Sequence, residues 1–438
     1  MKLDTGNTAW MISATALVLL MTPGLAFFYG GMVRGKNVLA MLMQNFICMG
    51  IVSVIWILFG FSLAFGHDQH GIIGSLTQYW GMRHGTTELF IAGVPTTVIA
   101  CFQLTFAVIT PALITGAIAD RMKFASFCVF VSLWSVLVYS VVAHWVWGGG
   151  WIGAKLHAID FAGGTVVHIN AGIAGLVLTI IMGKRVGWPK EQMKPHNVPF
   201  VLLGAGLLWF GWIGFNAGSE LAADLVAGYA MLNSIVATAA AMLGWLVVEK
   251  IRDGHATTLG AASGLVAGLV AITPACGFVN AEGAILLGVV AGAICASCVG
   301  IKFRFGFDDS LDVVAVHLVG GIIGALSLGF LATHTVNPGV IAAGLAKDGL
   351  FYGGGLEQLG RQAVAVLATL AYSGIVTAII ALAIKYTIGL RVTEEQEVEG
   401  LDTALHAEAA YDMGAGLAGS LRSTSAVVGT QRMVEADV

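Results

Sequence analysis

Apolar residues in this chain fall in long blocks separated by short polar punctuation. Blocks of this length cross a bilayer as helices, because about 20 apolar residues rising about 1.5 Å each span the hydrocarbon. Eleven spans are predicted, near residues 9–32, 38–66, 93–118, 124–147, 162–183, 197–217, 224–248, 258–274, 278–300, 313–333 and 364–388. The first is kept as a span and not as a cleaved signal peptide, since only Lys2 supplies positive charge before it and Asp4 follows.

An odd number of spans places the termini on opposite sides. Loops after spans one, three, five, seven and nine carry Arg34, Lys36, Arg121, Lys123, Lys184, Arg185, Lys190, Lys194, Lys250, Arg252, Lys302 and Arg304. The other side holds only Lys2, Arg83, Lys155, Lys347 and Arg361. The positive-inside rule then predicts an outer N-terminus and an inner C-terminus.

Composition agrees with this class. Of 438 residues, 57% are hydrophobic and 11% charged, with mean hydropathy +0.87, whereas soluble domains carry roughly a quarter charged residues. The expectation is an all-α, multi-pass protein of the lipid bilayer. A net charge of -4 gives no basic surface, so nucleic acid is not an expected partner. Cys295 and Cys298 form a lone CxxC with no second pair, which argues against a zinc or disulfide framework. Fifty-nine glycines, some in GLVAG (Gly264 to Gly268) and GVVAG (Gly288 to Gly292), predict close helix packing and a tight, rigid bundle.

Two polar residues break the apolar pattern in matching contexts. His168 follows Asp160 by eight residues and precedes Gly172 and Gly175; His317 follows Asp309 by eight and precedes Gly321 and Gly324. They lie in spans five and ten, so two five-helix repeats, entering the membrane in opposite directions and followed by a final helix, are expected. LLWFGWIGFNAG in span six shares a small-and-aromatic rhythm with LLMTPGLAFFYGG in span one. Such histidines would meet at mid-depth. A lone intramembrane histidine often hydrogen-bonds a neighbouring helix, whereas a symmetric pair marks a pathway. No further ligand stands at metal-binding spacing beside either one, and no cofactor is expected. Two neutral imidazoles, each with one donor and one acceptor nitrogen, suit a small, uncharged, hydrogen-bonding solute.

Aromatic residues add a second theme. Phe102 and Phe106 are four apart on one helix face, and Trp212, Phe215 and Ser219 are spaced three and four. Trp145 and Trp147 end span four, where tryptophan commonly anchors at the headgroups. Aromatic faces also attract partly dehydrated cations, so a cluster at an entrance would trap one.

DFAGGTVVHINAG, FQLTFAVITPALITGAIADR, WFGWIGFNAGS, DDSLDVVAVHLVGGIIG and GLRVTEEQEVEGLD together resemble the ammonium transporter (Amt) family, of which the Rh proteins are distant relatives. The resemblance runs from the first span to about Tyr411. It implies that Phe106, Trp147 and Ser219, with Phe102 close by, form an outer ammonium-binding site supported by Asp160. Phe106 and Phe215 would stack as a gate beneath it, and Trp212, His168 and His317 would line the pore. Asp160 also reads as the N-cap of the helix that follows. Ammonium, ammonia and methylammonium are the implied solutes, a homotrimer the implied assembly, and the cell (inner) membrane of a bacterium, in the service of nitrogen assimilation, the implied location.

The resemblance divides the chain into a transmembrane domain, 1–388, and a cytoplasmic regulatory tail, 389–413, that would contact a PII-type signalling protein. The Ala-, Gly- and Ser-rich extension 414–438 departs from the family's usual end and is expected to be disordered. The expected activity is transport and not enzymic catalysis. An Rh-like channel for ammonia or carbon dioxide, and an ammonium sensor, are the alternatives; Phe102 and Trp147 favour the Amt reading over the Rh-like one.

Overall fold

The computed structural model describes residues 2–83, 88–191 and 193–411; the extension predicted to be disordered lies outside them. Asp4 starts α1 (Thr5–Met32) by accepting the Asn7 amide at 2.8 Å. The second long helix, α2, begins as Val38–Ile55 and continues through a π-helical turn, Trp56–Gly60, into Phe61–Phe65. Next come α3 (Thr96–Ile118) and α4, which runs from Phe124–Trp134 through a π turn to Ser140–Val146. The fifth, α5 (Gly164–Met182), opens with a π turn, Gly164–Ile169, that contains His168. Then follow α6 (Val198–Gly218), α7 (Leu225–Asp253), α8 (Thr258–Ile272) and α9 (Ala281–Cys298). Another π turn, Val314–Val319, opens α10 (Val314–Leu331) and contains His317, and α11 (Glu357–Thr387) closes the set.

Ten helices among the described residues are long and apolar enough to cross a membrane. The predicted eighth span is the exception, because α8 has 15 residues, or about 22 Å. Its buried face runs almost unbroken from Gly264 to Ile272, and the turn after it, Thr273–Val279, is buried as well. Protein surrounds this element, so it need not match the bilayer's thickness, and irregular backbone is tolerated there. The last span differs in the other direction: α11 starts at Glu357, seven residues before the predicted 364. Its first turns hold the polar Gln358, Arg361 and Gln362, which precede the predicted limit.

The first helices of the two predicted repeats, α1 and α6, pack along each other, and α5 packs against α10 and α11. Glycine makes these approaches close. A Cβ at Gly172 of α5 would lie 2.6 Å from the Leu318 amide of α10, and one at Gly292 of α9 would lie 2.1 Å from the Ala241 carbonyl of α7. The GVVAG motif therefore seats α9 on α7, and Gly264 and Gly268 of GLVAG seat α8 on the same helix. A short hairpin, β1 (Asp68–Gln69) with β2 (Ile73–Gly74), lies in the loop after α2.

Basic loops converge at the other end from this hairpin. Arg34 pairs with Asp120 at 3.0 Å. The buried Asp308 carboxylate takes Arg121 at 2.9 Å and Arg185 at 2.7 Å. Burial opposes its ionisation, but the Arg185 hydrogen bond and the Arg121 and Arg185 charges outweigh that and hold the Asp308 carboxyl below the usual range. The tail docks on this face as two short helices, α12 (Glu394–Glu399) and α13 (Leu401–His406). Glu397, 1% exposed, binds Arg391 at 2.6 Å and accepts the Val186 amide at 2.7 Å. The Asp402 carboxylate accepts the Leu39 and Ala40 amides at 3.0 and 2.8 Å, capping the start of α2.

Candidate functional site

The two π turns bring the histidines together. His168 Nδ1 lies 3.4 Å from His317 Nδ1, with ring centroids 5.5 Å apart and planes inclined by 26°. Both rings are buried, at 1% and 2% exposure. Gly321 allows the approach, since a Cβ there would lie 3.1 Å from the His168 Cβ. The aspartates eight residues upstream play matching parts: Asp309 accepts the Val314 amide at 2.7 Å, and Asp160 accepts the Gly163, Gly164 and Thr165 amides at 2.8, 2.7 and 2.7 Å. Asp160 also takes the Val166 amide at 3.3 Å and the Thr165 hydroxyl. Each carboxylate fixes the first turn of a histidine-bearing helix, as an N-cap does.

Aromatic rings cover the His168 side of the pair. Trp212 stacks on His168 at 5.4 Å and 20°, and its indole nitrogen donates to Thr273 Oγ1 at 2.9 Å. Phe215 lies 6.2 Å from His168 and stacks on Phe106 at 4.1 Å and 22°. Phe106 meets Trp147 edge-on at 6.0 Å. Trp147 Nε1 donates to the Asp160 carbonyl at 2.9 Å, which ties this ring to the cap of α5. Ser219 donates its hydroxyl to the Phe215 carbonyl at 2.8 Å. Phe102 stands 4.9 Å from Phe106 as the helical spacing required, but it is fully buried against Gly218 and so supports the Phe106 ring from behind.

On the far side, His317 Nε2 lies 3.5 Å from the Tyr29 hydroxyl, which donates to the Leu113 carbonyl at 3.2 Å. A cavity of about 50 Å³ begins under His317 and Tyr29. It shares Met32, Leu259, Leu311 and Asp312 with a larger vestibule of about 270 Å³ that Arg185 and Lys302 also line. Asp312 forms an ion pair with Lys302 at 2.7 Å.

The nine residues singled out in the sequence thus form one contiguous set, from Ser219 and Trp147 through Phe106 and Phe215 to Trp212 and the histidines. Trp145 stands apart from them, bonded to the Ile72 carbonyl at 2.9 Å and 4.7 Å from Tyr372. Sequence reasoning passed over Tyr29, Thr273, Asp312 and Glu220. Burial and the neighbouring Asp224 push the Glu220 carboxyl, next to Ser219, up to about 7. Its position directly after a predicted site residue was the available signal. Among the described residues no group of three His, Cys, Asp or Glu side chains is placed to hold a metal ion.

Comparison with known proteins gives one answer. The Ammonium Transporter Family matches residues 9–411. An ammonium transporter of Mycobacterium bovis is 56% identical, over 93% of this chain and 91% of its own length. Mep2 of Saccharomyces cerevisiae superposes with a TM-score of 0.81 at 36% identity, covering 90% of this chain and 89% of that one. A sensor Amt protein superposes at 0.83 and 30% identity, covering 91% and 98%. On this evidence the chain belongs to the ammonium transporter family.

Proposed function

We propose that this protein binds ammonium at an outer aromatic site, where the ion gives up its proton either to the outer water or to the histidine pair, and conducts ammonia past the paired histidines to the inner vestibule. The observation that carries the reading is the contact between His168 and His317 beneath the stacked Phe106 and Phe215. Moving a bare cation into hydrocarbon costs on the order of 20 kcal/mol by an idealised Born argument. A neutral amine loses only a few kcal/mol of hydrogen bonding, and imidazole nitrogens restore part of that. Proton loss at the stacked rings follows from the same balance, because desolvation disfavours a charged amine.

The hydrogen bonds support one direction for the pair. Tyr29 gives its proton to the Leu113 carbonyl, so its oxygen accepts from His317 Nε2. His317 Nδ1 is then an acceptor, and His168 Nδ1 carries the hydrogen between the rings. His168 Nε2, without a hydrogen-bond partner among the described residues, is in this reading the acceptor that meets the solute. The row can also pass a proton toward Tyr29, which would make transport electrogenic.

In this reading the N-terminus is outside, the two five-helix sets are inverted repeats, α8 counts as a span and brings the total to eleven, and the protein is a homotrimer in the cell inner membrane. The basic face carrying the tail is cytoplasmic and receives a PII-type protein. The test is methylammonium uptake and current in proteoliposomes, with the wild type beside the double variant His168→Ala, His317→Ala. Saturable uptake that the double variant loses is expected. Binding without uptake by the wild type would leave a sensor, and flux that never saturates would leave an Rh-like gas channel.

A further inference from the structure

Asp160 is aimed from two sides. Its carboxylate holds the turn that follows, but the chain leading into it, 157–160, has no regular secondary structure, and Ala158 and Ile159 are buried. Buried backbone needs a partner for every N–H and C=O. For Ile159 both partners are one side chain, Gln362 of α11. Its Oε1 accepts the Ile159 amide at 2.8 Å and its Nε2 donates to the Ile159 carbonyl at 2.7 Å, as an adjacent β-strand would.

The remaining valences of the same amide are also used. Nε2 donates to the Ala325 carbonyl of α10 at 3.0 Å, and Oε1 accepts Gln358 Nε2 at 3.0 Å. Gln358 in turn accepts the Lys347 amide at 2.9 Å and donates to the His157 carbonyl at 3.4 Å. Two donors and two acceptors satisfied on a side chain 1% exposed leave it no freedom to turn. The nearest replacements each lose part of this set. Asn falls one methylene short, Leu offers nothing to Ile159, and an ionised Glu would face two carbonyls without a hydrogen.

We propose that Gln362 is a positioning residue for the outer cation site. By fixing both backbone groups of Ile159 it sets the next residue, Asp160, whose carboxylate caps α5 and whose carbonyl holds the Trp147 indole. Gln362 touches no substrate; it acts through the Asp160 backbone. The inference rests on the ammonium-uptake reading above.

The experiment compares full-length wild type, Gln362→Leu and Gln362→Glu in proteoliposomes, measuring methylammonium uptake at pH 5.5 and 8, with thermal unfolding of each protein in detergent as a folding control. Gln362→Leu should raise the apparent KM on the order of tenfold with Vmax per folded protein little changed. Gln362→Glu should approach the wild-type KM at pH 5.5, where its acid form can still give one hydrogen to the Ile159 carbonyl and accept the Ile159 amide, and resemble the Leu variant at pH 8. Wild-type KM in Gln362→Leu, a fall in Vmax at unchanged KM, or a Glu variant that tracks Leu at both pH values would overturn the assignment. Failure of the wild type itself to take up methylammonium would instead strike the ammonium reading, before any variant is compared.

Discussion

Replacing Asp160 by Asn separates the two jobs its carboxylate performs, because the side chain keeps its shape and loses its charge. Oδ1 accepts the Gly163 and Gly164 amides at 2.8 and 2.7 Å, and Asn can keep these. Oδ2 accepts the Thr165 amide at 2.7 Å, the Val166 amide at 3.3 Å and the Thr165 hydroxyl. In Asn this position becomes an NH₂, which faces two N–H groups. The hydroxyl can rotate to accept instead, and Val166 is already distant, so the main loss is one short charge-assisted bond, about 1.5–3 kcal/mol. Loss of the negative charge at a helix start adds about 0.3–1 kcal/mol. The sum, about 2–4 kcal/mol, falls on the turn that carries His168 and on the Trp147 anchor. Methylammonium uptake in vesicles should therefore weaken by at least tenfold at subsaturating concentration, and unfolding by intrinsic fluorescence should shift to lower temperature. An Asn variant with wild-type uptake and wild-type unfolding would refute both the cap and the charge argument.

Two further outcomes test the ends of the pathway. Asp308→Asn strips the buried Arg121 and the half-buried Arg185 of their shared anion and should destabilise the fold by about 3–5 kcal/mol, read as a large drop in unfolding temperature. Because the Asp308 carboxyl is depressed in the folded state, its contribution is present above about pH 4 and is lost as pH falls lower, so the gap between wild type and Asn variant should close in acid. Outside the pore, Glu220 ionises near pH 7, and a carboxylate beside Ser219 attracts a cation only above that. The apparent affinity for methylammonium should rise by about two- to fivefold, the value of an exposed charge pair, between external pH 6 and 8, and Glu220→Gln should be flat over that range.

Much of the architecture could be read from the chain because lipid imposes simple rules. Long apolar blocks became helices at nearly their predicted limits, and the paired DxxxxxxxH spacing located both histidine turns, since a charged cap and a buried imidazole are costly anywhere else. What escaped had a physical cause in each case. α8 is sheltered by protein, so length no longer marks it as lipid-spanning. Gln358 and Gln362 look like the edge of a span although they lie in the bundle, because hydropathy counts an amide as polar whether or not a buried backbone needs it. Tyr29 hides among the aromatics of α1, and only its partner His317 distinguishes it. The two histidine-bearing π turns carry no sequence sign beyond the glycines beside them.

The continuity of α11 has a mechanical consequence. This helix of 31 residues is about 46 Å long, with Gln362 gripping the loop before Asp160 near one end and Lys385 bound to the Ile181 carbonyl near the other. Directly beyond it the chain is fastened again, where Ser126 binds the Gly389 carbonyl. A rod clamped at both extremities transmits an axial push with little loss. The bonds at 388–392, made with Arg121, Lys123 and Ser126, lie between that strut and the tail helices, so the loop before Asp160 and the tail-bearing face are held at a fixed separation.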